Sequence, residues 1–109
     1  MDQPFSPVEG VAAFDQLLER SQDAPVVLFK HDRSCPISAA AHRELAQIDA
    51  PVYLIDVSRE DLSQAVAERT GVEHESPQVI VARNGEAVWD ASHYDITADA
   101  VEHATREHA

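Results

Sequence analysis

Residues 26–38 read VVLFKHDRSCPIS, and the fold turns on how that run divides. Val26 to Phe29 are four apolar residues rich in β-formers, too short for a helix and suited to a strand buried on both faces. Six residues on stands Cys35, followed by Pro36 at the place where a first helical residue tolerates proline, since its missing N–H would be unpaired anyway. Ile37, Ala40, Ala41, Leu45 and Ile48 then continue an apolar stripe at helical spacing. The stretch predicts strand, loop, helix, with Cys35 capping the helix.

On either side the chain alternates in the same way. Val8 to Arg20 place Val11, Ala12, Phe14, Leu17 and Leu18 at mostly helical spacing before the turn-like SQDAP. PVYLIDV, residues 51–57, predicts a second strand; Ser58 is the expected N-cap of the next helix and Gly71 its stop. QVIVA at 78–82 and EAVWD at 86–90 flank Asn84-Gly85, a type I′ hairpin signal, and Thr97 to Glu107 predict a last helix. The resulting order is αβαβαββα. Two parallel strands joined by a helical crossover, then an antiparallel hairpin and a closing helix, resemble the thioredoxin fold: an α/β architecture with a mixed four-stranded sheet, flanking helices and an added N-terminal helix. That fold places a cis-proline loop opposite its active cysteine, and Ser76-Pro77 stands immediately before the third predicted strand. Proline is also ordinary at a strand's first position, where no ladder donor is needed.

Composition bounds the function. A chain of 109 residues is expected to form a single domain over 1–109, and 44% hydrophobic residues suffice for one core. Twenty acidic residues against eight basic ones give a formal charge of −12, which disfavours nucleic acid or an anionic membrane as partner. Seven of the eight basic residues are arginine, and the acidic positions are spread along the chain, as on a solvated surface or in a protein adapted to high salt. No apolar run approaches a membrane span, and the opening MDQPFSPVEG lacks signal-peptide regions, so a cytoplasmic protein is expected. With one cysteine no intrachain disulfide and no multi-cysteine zinc site can form; any disulfide is with another molecule.

Placed at a helix N-terminus, the Cys35 sulfur meets unpaired amides and the positive end of the helix dipole, which favour thiolate over thiol. Ser38, one turn along, is expected to direct its hydroxyl at the sulfur, and Lys30, His31 and Arg33 to bring positive charge nearby, unless those three are solvated loop residues. Serine cannot resolve a disulfide. The alternative for Cys35 is a small buried hydrophobe.

The segments LFKHDRSCPIS (28–38), GVEHESPQVIV (71–81) and NGEAVWDASHYDIT (84–97) resemble the monothiol bacilliredoxins, thioredoxin-like proteins of the bacillithiol redox system with a Cys-Pro-Ile-Ser site. The resemblance implies a thiol–disulfide oxidoreductase that removes bacillithiol from S-bacillithiolated client proteins. Cys35 is the implied catalytic residue, with Pro36, Ser38, His31, Arg33 and Lys30 supporting its thiolate, and Ser76, Pro77, Gln78 and His93 on the substrate side. No bound cofactor is implied; bacillithiol acts as co-substrate. Composition adds that a further low-molecular-weight thiol or another redoxin must release the adduct, because the chain has no second cysteine.

Two other readings stay open. A glutathione-type monothiol redoxin usually has Gly-Phe between cysteine and serine, where this chain has Pro-Ile. A non-catalytic thioredoxin-fold adaptor would leave the cysteine incidental. No metal site is expected, since His103 and His108 are five apart, off one helical face, without a third ligand. His42, His103 and His108 read as solvated helix residues, His74 and His93 as structural or surface ones, and Trp89 as a sheet-face or core aromatic.

Overall fold

The computed structural model describes residues 5–109; residues 1–4, part of the opening stretch read as lacking signal-peptide character, lie outside them. Along the chain run β1 (Phe5–Pro7), α1 (Val11–Arg20), β2 (Val26–His31), α2 (Pro36–Leu45), β3 (Val52–Asp56), α3 (Glu60–Thr70), β4 (Gln78–Arg83), β5 (Glu86–Ser92), a 3-10 turn (His93–Asp95) and α4 (Ala98–Glu107). The strands form one mixed sheet in the order β1-β3-β2-β4-β5. β1 and β2 flank β3 in parallel, while β4 is antiparallel to both β2 and β5. This is the thioredoxin fold, with five strands where four were expected.

The extra strand is β1. It is three residues long, too short to show a period, and ends on a proline that a sheet edge tolerates because no inward N–H is lost. Its register, Phe5 opposite Val52, continues through a hydrogen bond that the Val8 amide donates to the Leu54 carbonyl at 2.9 Å. Helix α1 accordingly starts at Val11 rather than Val8.

The central strands are buried on both faces because alternate side chains enter two cores. Val27, Phe29, Val79 and Val81 pack with α2 and α4 through Leu45 and Val101. Val26, Leu28, Ile80 and Ala82 pack with α1 and α3 through Phe14 and Leu62. Phe14 and Phe29 are completely buried, and truncating such a ring to alanine costs about 3–5 kcal/mol.

Local chemistry sets the boundaries. Ser58 does not cap α3; its hydroxyl and amide both bond Asp56 Oδ1, at 2.7 and 2.9 Å, and Arg59 takes the N-cap position. Aspartate competes for nearby amides in this way, which sequence spacing alone does not reveal. Gly71 ends α3 in the left-handed region, and Asn84 and Gly85 both have positive φ (59° and 79°), as a type I′ turn requires. That turn docks on the end of α1: the Asn84 amide donates to the Ser21 carbonyl and the Gly85 amide to Ser21 Oγ. At the start of α4, Thr97 Oγ1 accepts from the Ala100 amide and Glu44 Oε1, from α2, accepts from the Ala98 amide.

Candidate active site

The register between β2 and β4 decides what faces what. Lys30 lies opposite Gln78, so the chain leaving β2 at His31 passes the chain entering β4 at Pro77. Gln78 lies opposite Ser92 in turn, and the Pro77 carbonyl accepts from the His93 amide at 3.0 Å. The Ser76-Pro77 peptide is cis. The loop at 31–35, the proline loop and the turn at 93–95 are thus gathered at one end of the sheet.

Cys35 is the N-cap of α2, with extended backbone (φ −104°, ψ 122°) and Pro36 at the first helical position. Its side chain is half-buried. Helix geometry leaves the amides of Ile37 and Ser38 without intrahelical acceptors, and the dipole adds partial positive charge at the same place. The Cys35 side chain makes no capping hydrogen bond to those amides, so what the position supplies to the sulfur is the positive end of the helix.

Ser38 departs from the expectation that its hydroxyl serves the sulfur. The side chain is fully buried; Oγ accepts from the Asp32 amide at 3.0 Å and lies 2.7 Å from His31 Nδ1. Neither contact is to Cys35. Ser38 draws the 31–35 loop back onto α2, helped by the Cys35 amide, which donates to the Asp32 carbonyl.

Of the three basic residues expected around the thiol, each lies in a different setting. Arg33 is exposed on the loop. His31 sits on the α2 face of the sheet, its ring 5.1 Å from Phe29 and 5.2 Å from His42. Burial pushes the His31 imidazole below its ordinary pKa and the facing His42 adds repulsion, against the pull of Asp32 and Asp56. Asp32 and Asp56 are themselves held below the usual carboxylate range by hydrogen bonds from Ser34 and Ser58 respectively. Lys30 does not stand beside the sulfur. Strand alternation turns it to the face opposite His31, where it is fully buried and Nζ donates to Gln78 Oε1 at 3.0 Å. Burial lowers its pKa to about 8, with Glu75 pulling the other way.

The residues expected on the substrate side also separate. Gln78 is almost fully buried; besides accepting from Lys30, its amide donates to the Glu73 carbonyl at 3.0 Å and to Ser92 Oγ at 3.5 Å. It braces the proline loop from below instead of presenting a side chain to a ligand. Ser76 Oγ is buried without a hydrogen-bond partner among the described residues. His93 is exposed, has a left-handed backbone (φ 55°), and brings Nε2 to 3.7 Å from Glu75 Oε1. His74 is lowered in pKa by burial and then by Lys30. Among the described residues no three His, Cys, Asp or Glu side chains gather as a metal ion would need.

Sequence reasoning missed His42. Read as solvated, it is half-buried and stacks on Phe5 with centroids 4.2 Å apart, a contact between a strand and a helix that local periodicity cannot show. The burial of Lys30 was missed as well: the apolar run ends at Phe29, but the strand continues to His31 and carries Lys30 into the interior.

Comparison with known proteins agrees with this geometry. Residues 6–101 match the family described as Monothiol bacilliredoxin BrxC. A solved structure assigned as an oxidoreductase with a thioredoxin fold is 34% identical, with 92% of each chain covered and a TM-score of 0.81. Thioredoxin f from spinach chloroplast (17% identity, 94% of this chain and 91% of that one, TM-score 0.72) shares the fold. So does a variant of the thioredoxin from Halobacterium salinarum (23% identity, 99% and 95%, TM-score 0.71). The chain is a thiol–disulfide oxidoreductase, and it belongs to the monothiol bacilliredoxin family.

Proposed function

We propose that the protein removes bacillithiol from S-bacillithiolated proteins through a mixed disulfide on Cys35. The observation that carries this reading is the lone cysteine at the N-terminus of α2, inside a family match that spans residues 6–101. The Cys35 thiolate attacks the bacillithiol sulfur of the client's mixed disulfide. A sulfur–sulfur bond forms to Cys35, the client's bond breaks, and the electron pair leaves on the client sulfur as a thiolate. A second thiolate then attacks the bacillithiol sulfur on Cys35 and displaces the Cys35 thiolate. Because the chain supplies no second thiol, that attacker is a small thiol or another redoxin, in a reducing compartment such as the cytoplasm.

The site residues divide the work. The N-terminus of α2 sets the sulfur at the positive end of the helix dipole, Ser38 fixes the loop that presents Cys35, and the backbone around Ser76 and Pro77 offers the thiol compound strand-like hydrogen bonds. Lys30 and Gln78 hold that loop in place from beneath. His93 stands at the rim.

Incubation with a bacillithiolated client tests the reading. The protein is expected to gain one bacillithiol per chain, seen as a mass increase on Cys35 that reductant reverses, while the client regains its free thiol. Cys35→Ser should show neither product. In Ser38→Cys, a thiol three residues along the helix meets Cys35 across one turn, so the adduct should give way to an intramolecular disulfide. Failure of the unaltered protein to gain the adduct or free the client would defeat the proposal. Adducts with glutathione but not bacillithiol would favour a glutathione-type redoxin.

A further inference from the structure

Between α2 and the turn at 93–95 lies a groove of about 330 Å³ that the mechanism above leaves unused. Ala40, Arg43 and Gln47 form one wall, and Tyr94, Ile96 and Thr97 the other. The volume suits a compact small molecule. Two features join the groove to the site. On the helix, Pro36, Ala40, Arg43 and Gln47 recur at the spacing of a single face, so the wall begins at the residue after Cys35. At 1.5 Å per residue, Ala40 stands about 7.5 Å and Arg43 about 12 Å along the axis from Cys35. On the other side, the His93 amide donates to the Pro77 carbonyl at 3.0 Å, which ties the turn to the proline loop. His93 takes a left-handed backbone there (φ 55°), a conformation uncommon for a residue with a Cβ.

The chemistry of the walls selects a ligand. Tyr94 is the one large hydrophobic side chain that is exposed among the described residues, at 72%. A ring open to water beside a cleft offers its face to an amphipathic partner, such as the C–H face of a sugar. Arg43 is exposed, and among the described residues no carboxylate pairs with it; its planar guanidinium is shaped to take a carboxylate. Thr97 is the N-cap of α4, so the positive end of that helix borders the same groove. Glu44 is the one acidic residue in the lining, and its Oε1 is already engaged by the Ala98 amide. On a chain with a formal charge of −12, this is a place where an anionic group can settle.

We propose that this groove is the subsite for the body of bacillithiol, a thiol that carries a glucosamine ring and a malyl group with two carboxylates. The sugar ring covers Tyr94 and the malyl carboxylates meet Arg43, while the cysteinyl part lies along the proline loop with its sulfur at Cys35. The inference rests on the bacillithiol reading and adds to it a ground for choosing this thiol. A peptide thiol such as glutathione brings carboxylates but no ring to cover Tyr94.

Glucosaminyl malate, the same body without the thiol, tests the groove apart from any sulfur chemistry. Added to the nitrogen-labelled full chain, it should shift the amide signals of Ala40, Gln47, Tyr94 and Thr97 to saturation, and methyl glucosaminide or malate alone should shift them less at equal concentration. Kinetics test the same contacts with bacillithiol disulfide: the Cys35 thiolate bonds to one sulfur, the sulfur–sulfur bond breaks, and the other bacillithiol leaves as a thiolate. Tyr94→Ala and Arg43→Gln, both at exposed positions, should each raise the half-saturating disulfide concentration about threefold or more, with the limiting rate kept. Fragment shifts that miss the groove would overturn the proposal, as would a half-saturating concentration that neither variant changes. A loss seen with a bacillithiolated protein but not with bacillithiol disulfide would overturn it too, since the groove would then receive the client chain. Failure of the bacillithiol reading would look different: the fragment would still shift the groove signals, while the unaltered protein took no adduct from the disulfide.

Discussion

Lys30 is the side chain that departs furthest from the habits of its type. Its ammonium is fully buried with a hydrogen bond to one carbonyl oxygen, that of Gln78, and burial lowers its pKa to about 8. An unfolded lysine holds its proton to about pH 10.4. Between those two values the unfolded chain binds more protons than the folded one, so stability rises with pH across that window, and below it the full cost of burying the charge is present. The unfolding free energy of the wild type relative to Lys30→Met should therefore improve from about pH 7 to about pH 10, by on the order of 3 kcal/mol at most. Urea titrations at several pH values make the comparison; a difference independent of pH would mean that the amine does not titrate in this window. Lys30→Met also leaves Gln78 Oε1 unpaired, a loss of about 1–3 kcal/mol. Since Gln78 braces the loop that carries Pro77, client turnover should suffer more than alkylation of Cys35.

At the scale of elements, α4 shows how one helix is started by another. Thr97 supplies the cap from its own chain, and Glu44 reaches across from α2 to take the Ala98 amide. Thr97→Ala should cost about 1 kcal/mol in urea unfolding, and Glu44→Ala should weaken the same helix end. A loss below a few tenths for both would show that water replaces these acceptors freely. The elements that sequence made legible are those with strong local chemistry: the apolar run of β2, the proline after Cys35, the glycine that ends α3, the Asn84-Gly85 turn. Proline 77 was legible because its position relative to Cys35 could be read along the chain. What escaped was set by contacts distant in sequence. Three residues of β1 have no period of their own and are fixed by β3. Ser38 answers to His31 and Asp32 rather than to its helical neighbour Cys35, and Gln78 turns inward because a lysine on the adjacent strand needs an acceptor.

For the whole molecule the governing quantity is the formal charge of −12. Among the described residues four ion pairs form, and two of them require a protonated histidine, so most of the twenty carboxylates have no cationic partner to offset them. Folding brings these charges closer together than the unfolded chain holds them, and the repulsion works against the compact state. Salt should relieve it. The Debye length falls from about 30 Å at 0.01 M to about 8 Å at 0.15 M and about 3 Å at 1 M, so the urea midpoint should climb with KCl, most steeply over the first of these intervals. Urea serves here because guanidinium would itself screen the charges. The gain should shrink as the pH is lowered through the carboxylate range, where the charge that causes it is neutralised. The same field acts on reagents approaching Cys35: an anionic disulfide should react faster as KCl is raised, while a neutral disulfide of similar size should change little. A midpoint and an anionic rate that both stay flat across the KCl series would mean that the acidic surface is too dispersed, or too well hydrated, to govern either folding or approach.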